Sequence, residues 1–121
     1  MSCRIEMDKE CIELVNLLNT LYGIKTTESC CGHFKEPYAI YFDCTDFSAL
    51  GRLYRCIDRN YSDGKFVIEV CCSDTNPVYG FVLKSKKPFN SDEEMNESLN
   101  LLIENINYWF KDAFDEYFKK Q

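Results

Sequence analysis

The densest chemistry in this chain lies between residues 26 and 36, where Thr26, Thr27, Glu28, Ser29, Cys30, Cys31, Gly32, His33 and Lys35 follow one another closely. His33 is the only histidine of the chain. Gly32 can take a positive φ, and a turn hinged there can converge successive backbone N–H groups on an anion. Thr26, Thr27 and Ser29 add hydroxyl donors, and His33 adds an imidazole, the side-chain type whose ordinary charge change lies near neutral pH. Lys25 and Lys35 place positive charge on either side. Such a set suits a phosphate or a carboxylate. The plainer alternative is a turn whose polar side chains bond only their own backbone.

Cys31-x-His33, with Cys30 beside it, also raises metal binding and thiol chemistry. The spacing is neither Cys-x-x-Cys nor His-x-x-x-His, so zinc would need further ligands from elsewhere. Cys71 and Cys72 are the obvious partners, but adjacent cysteines on a strand point to opposite faces. No metal is therefore expected, and no cofactor is identified. A Cys31 nucleophile activated by His33 is disfavoured, because a one-residue spacing seldom aligns thiolate and imidazole. The catalytic option is His33 as general acid or base with Glu28 orienting it. Arg52, Arg55 and Arg59 fall on a narrow arc at about 100° per residue. They read as a solvated face or a phosphate-gripping edge, and Arg55 and Arg59 join the candidate ligand-binding set.

These residues need a scaffold to position them. Asp8 can cap a helix with Cys11, Leu14, Leu18 and Leu21 at helical spacing, ended by Gly23. Ile24 to Ser29 reads as a strand, and Tyr38 to Cys44 as a second one. Asp46 caps a helix with Phe47, Leu50, Leu53, Tyr54 and Ile57 on one face. Ser62-Asp63-Gly64 is a turn. Phe66 to Cys72 is a strand with Phe66, Ile68, Val70 and Cys72 on one side, and Asp74 to Pro77 leads into the strand Val78 to Lys84. Ser91 and Glu94 form a capping box opening the last helix, which carries Met95, Leu99, Leu102, Ile106, Trp109, Ala113 and Tyr117.

The order α-β-β-α-β-β-α predicts an α+β domain over residues 1–121, with a mainly antiparallel sheet and helices packed on it. Glu28-Ser29-Cys30-Cys31 and Glu69-Val70-Cys71-Cys72 both read Glu-x-Cys-Cys, which suggests a duplicated αββ unit. The last helix is apolar on more than one stripe, through Leu102, Ile103, Ile106, Trp109, Phe110, Ala113, Phe114, Tyr117 and Phe118. That surplus predicts a homo-oligomer formed through 102–118, a protein-interaction module whose active surface is this aromatic helix, or a helix sunk deep in its own core.

The totals set limits. A chain of 121 residues with 45% hydrophobic and 15% aromatic content can bury a real core. Its net charge of −6 disfavours bulk DNA or RNA binding, though a pocket for one nucleotide remains compatible. Eight cysteines fall below the roughly 8–10% of a disulfide scaffold, so reduced and mostly buried thiols are expected. No run approaches the roughly 20 apolar residues of a membrane span, and Met1 to Glu6 carries no secretory h-region. Cytoplasmic residence is the expectation.

The stretch from Asp8 to Cys44 resembles the N-terminal part of the tRNA-wybutosine-synthesising protein 3 family, in which a helix and a Thr-Thr strand lead to a Ser-Cys-Ser-Gly-Arg loop. Here that loop reads Ser29-Cys30-Cys31-Gly32-His33, so Ser29, Cys30 and Gly32 match by identity and Cys31 and His33 by position. The chain also resembles small phage and bacterial proteins carrying Glu-Ser-Cys-Cys-Gly-His. The first resemblance implies a nucleotide- or RNA-directed enzyme, the second an accessory protein sequestering a nucleotide signal. Together with the loop, they imply a small anionic or nucleotide-like ligand, with Tyr38, Tyr41 or Phe34 stacking on a base.

Overall fold

The computed structural model describes residues 8–73 and 76–112. The chain runs α1 (Lys9–Asn19), β1 (Ile24–Cys30), a single 3₁₀ turn (Gly32–Phe34), β2 (Ala39–Cys44) and α2 (Phe47–Ile57). It continues with β3 (Phe66–Ser73), β4 (Asn76–Ser85), α3 (Asp92–Ile106) and a wider final turn, Asn107–Asp112. This is the α+β order the sequence predicts. The four strands form one antiparallel sheet ordered β1-β2-β4-β3, so each hairpin contributes one edge strand and one central strand.

The register bears on the Glu-x-Cys-Cys repeat. Glu28, Ser29 and Cys30 face Tyr41, Ile40 and Ala39. A shift of 41 residues, Glu28 to Glu69, carries these pairs onto Glu69, Val70 and Cys71 facing Val82, Phe81 and Gly80. Tyr41 and its counterpart Val82 face each other across the central β2–β4 pair. The hairpins are thus related by an approximate two-fold through the middle of the sheet. Cys30 and Cys71 consequently sit at opposite ends of the sheet, and Cys71 is out of reach of the first pair.

The core lies between one sheet face and the helices. From the sheet come Ile24, Ile40, Phe42, Cys44, Phe66, Phe81 and Leu83, and from the helices Cys11, Leu14, Leu18, Leu53, Cys56, Met95, Leu99, Leu102 and Ile106. Strand alternation supplies the first set and helical spacing the second. Three expected core positions differ. Phe47 (70% exposed) and Tyr54 (59%) face solvent, because the buried face of α2 runs through Ala49, Leu53, Cys56 and Ile57. Val70 is also exposed, near the far end of its edge strand.

Helix ends explain where elements start. Asp46 caps α2 by accepting from the Ser48 N–H, and Ser91 caps α3 by accepting from Glu94 N–H. The Glu94 carboxylate reaches back to the N–H of Asn90, one residue before the cap. Asn105 then ties α3 to α2 by donating to the Cys56 and Tyr61 carbonyls. Trp109 packs edge-on against Tyr61 and under the Arg55 guanidinium, so part of the surplus aromatic surface is covered by the domain itself. Ala113, Phe114, Tyr117 and Phe118 lie outside the described residues, as does the Asp74-Thr75 turn. Among the described residues no helix is long and apolar enough to cross a membrane.

Burial pushes the thiols of Cys11 and Cys56 up to about 11 and about 12, above their ordinary value of 9.0. In the unfolded chain they ionise first. Their contribution is therefore intact below about pH 9 and is lost as pH rises through the folded values, by up to about 1.4 kcal/mol per pH unit for each thiol. Urea unfolding at stepped pH should show a plateau from about pH 7 to 8.5 and a decline above it. A stability that keeps rising toward pH 10.5 would contradict the burial of these thiols.

Candidate functional site

β1 ends at Cys30, and the chain must cross to β2 over residues 31–38. It does so through a left-handed turn: Gly32, His33 and Phe34 have φ of 81°, 52° and 62°. Glycine adopts this region freely, but each of the other two costs roughly 1–2 kcal/mol. Lys35 and Glu36 close the turn by donating their N–H groups to the Gly32 carbonyl. At Gly32 an added Cβ would stand 3.0 Å from the backbone of Pro37, so a side chain there meets both strain and contact.

What holds this turn is Asp8. The sequence suggests a helix cap, and Asp8 does occupy the position before α1, but its side chain makes no capping bond. Its Oδ2 instead accepts from the Cys31 N–H at 2.9 Å and lies 3.7 Å from His33 Nε2. The other ring nitrogen, Nδ1, lies 3.5 Å from Cys31 Sγ. The one-residue spacing of Cys31 and His33, which seldom aligns thiolate and imidazole, is accompanied here by a left-handed turn that brings the ring nitrogen beside the thiol. Carboxylate, thiol and imidazole form one cluster, with donor atoms all within 4.8 Å. Asp8 is the member that sequence reading missed. Its distance along the chain hid it, and a cap signal explained it away.

The surroundings are graded. Cys31 is 9% exposed, whereas the His33 side chain is 60% exposed. Burial, helped by the Asp8 carboxylate and opposed by a hydrogen bond from the backbone N–H of His33, pushes the Cys31 thiol up to about 12. A free thiolate nucleophile at neutral pH is disfavoured. Below the cluster, Tyr38 is wholly buried and donates its hydroxyl to the Glu10 carbonyl. Its backbone is gripped by Ser85, whose Oγ accepts from the Tyr38 N–H and whose N–H donates to the Tyr38 carbonyl.

The other expected site residues separate. Cys30 stays near, its sulfur accepting from the Gly32 N–H at 3.4 Å. Ser29 is 7% exposed and hydrogen-bonded to the Cys11 thiol, so its hydroxyl is committed to the core. Thr26 is joined twice to Asn19, through its N–H and its hydroxyl. Thr27 sits at an irregularity of β1, and Glu28 is exposed opposite Tyr41. Asp8, rather than Glu28, is the carboxylate beside His33. Lys35 and Phe34 are exposed at the rim. Tyr38 is unavailable for stacking, while Tyr41 is exposed. Arg55 stacks over Trp109. Arg59 lines a different cleft of about 380 Å³, with Tyr54, Phe66 and Lys86, and no residue of the 26–36 segment borders it. The anion nest expected of this loop is likewise altered: the Cys31 amide already holds a carboxylate, that of Asp8.

Replacing His33 by glycine tests whether the turn stores strain. His33→Gly should leave stability unchanged or raise it by up to about 1 kcal/mol, because strain relief of roughly 1–2 kcal/mol outweighs the extra chain entropy of glycine. A loss beyond about 1 kcal/mol in urea unfolding would mean the imidazole holds the fold rather than burdening it.

No family model, curated protein or solved structure matches this chain.

Proposed function

We propose that this protein is a small-ligand-binding module whose site is the 31–36 turn closed by Asp8. The observation carrying this reading is the strained pair His33–Phe34, held left-handed by a carboxylate from a distant part of the chain. Backbone strain with no packing reason concentrates at sites that handle ligands. A small anionic, nucleotide-like molecule is the ligand class this reading favours. His33 and Lys35 supply positive or donor groups at the rim, and the half-exposed Phe34 offers a flat face for a base. Sequestration of a nucleotide signal would require nothing more than such binding.

The Arg59 cleft favours a second placement of the same ligand. Its volume falls at the lower end of the roughly 300–1,000 Å³ typical of ligand pockets, and it combines Arg59 and Lys86 with Tyr54. Calorimetric titration of mono-, di- and cyclic nucleotides into metal-free protein tests both. Binding at micromolar concentrations that falls about tenfold, or 1.4 kcal/mol, in His33→Gln places the ligand at the turn. The same loss in Arg59→Ala places it in the cleft, and absence of any binder removes the reading. If His33 works as an acid or base beside Asp8, the His33→Gln variant should instead bind normally and lose turnover by about 10²–10⁴-fold.

A further inference from the structure

We infer that Asp8, Cys31 and His33 form a binding site for a zinc-class divalent cation, with a coordination position left open to solvent. This deepens the reading of the turn as a ligand site and rests on it. The three side chains offer a carboxylate oxygen, a sulfur and an imidazole nitrogen, all within 4.8 Å of one another. Such a mixed oxygen, sulfur and nitrogen set suits zinc, cobalt(II) or iron(II) rather than calcium or magnesium, which favour oxygen alone.

One separation agrees with that chemistry as it stands, while the 3.7 Å contact between Asp8 and His33 runs to the other ring nitrogen, Nε2. Bonds of about 2.0–2.3 Å at tetrahedral angles set neighbouring donors roughly 3.3–3.7 Å apart. Cys31 Sγ and His33 Nδ1 are already 3.5 Å apart. Rotation of His33, whose side chain is mostly exposed, closes the longer separations and leaves an entry path. The Cys31 N–H bond to Asp8 Oδ2 supplies outer support, fixing the carboxylate beside the sulfur it would share a cation with. Three protein ligands with a fourth position open is the pattern of zinc sites that handle ligands, not of closed structural ones. On binding, the cation–sulfur bond forms as the thiol proton passes to water. The bound cation then adds a positive centre to the donor groups that His33 and Lys35 already offer an anion without it. Cys71 takes no part, being at the far end of the sheet.

The test uses the full chain, stripped by chelator and titrated with cobalt(II) and with zinc in competition with a chromophoric chelator. One equivalent should bind tighter than about 10 µM, with a sulfur-to-cobalt charge-transfer band in the near ultraviolet. Cys31→Ser should abolish that band. Asp8→Asn and the surface variant His33→Gln should weaken binding by about tenfold or more, while Cys71→Ser leaves it unchanged. Circular dichroism establishes that each variant is folded, and His33→Gln remains decisive if Cys31→Ser is not. No binding at about 100 µM metal, or binding indifferent to Cys31→Ser and His33→Gln, overturns the assignment. Because these titrations contain no nucleotide and the nucleotide titrations contain no metal, failure of one reading is distinguishable from failure of the other.

Discussion

Tyr38→Ala should lower the unfolding free energy by about 3–5 kcal/mol, the largest loss expected from a single side chain near the site. The ring is 0% exposed and meets Phe66 and Phe89 edge-on, with centroids 6.2 and 6.3 Å away. Those two rings enter from the start of β3 and the β4–α3 connection, so the vacated volume opens a cavity where three segments meet. Tyr38→Phe keeps the packing and removes the hydroxyl's bonds to the Glu10 carbonyl and the Cys11 thiol, which should cost about 1–2 kcal/mol. Glu10 belongs to the first turn of α1, two residues after Asp8, so this smaller change loosens the support of the cluster. Urea denaturation separates the two variants. Equal losses would mean that the hydroxyl, rather than the ring, dominates, and the packing account would fail.

The sequence exposes this architecture wherever a single local rule decides it. Ser91 with Glu94, Asp46 before Phe47, and the alternation of Ile40, Phe42 and Cys44 each have a near-neighbour cause, and each element forms as that cause predicts. The candidate loop is legible for a similar reason: Gly32 among thiols, hydroxyls and the one histidine marks a turn that packing alone does not require. What stays hidden is whatever depends on distant pairs. Ser85 looks like an ordinary strand end, yet it is 1% exposed and satisfies both backbone groups of Tyr38, 47 positions earlier. Ser98 is also buried and donates to Asp63 across to α2's trailing turn. Ser29 and Thr26 read as ligand hydroxyls until their partners, Cys11 and Asn19, are known. Asp8 is the strongest instance. A cap residue and a loop anchor look identical in sequence, and only the fold says which bond wins.

That choice makes Asp8 the second position of large expected effect. Asp8→Ala removes the acceptor of the Cys31 N–H, a bond to a charged group of the kind worth about 1.5–3 kcal/mol. It also removes negative charge from the start of α1, a further contribution of about 0.3–1 kcal/mol. A total loss of roughly 2–3 kcal/mol is expected, since the two effects share one carboxylate and do not fully add. Asp8→Asn keeps an oxygen acceptor and should recover about half of that loss. The turn offers a second readout. Freed from its carboxylate, the left-handed segment can relax toward extended backbone, which separates His33 from Cys31 and exposes the sulfur. Alkylation of Cys31 in folded protein, followed by mass spectrometry, should therefore quicken by about tenfold in Asp8→Ala and less in Asp8→Asn. An Asp8→Ala variant as stable as the parent, with Cys31 equally protected, would show that the turn holds its shape unaided. The strain at His33 and Phe34 would then need another cause, and the cluster would lose its claim to be a built site.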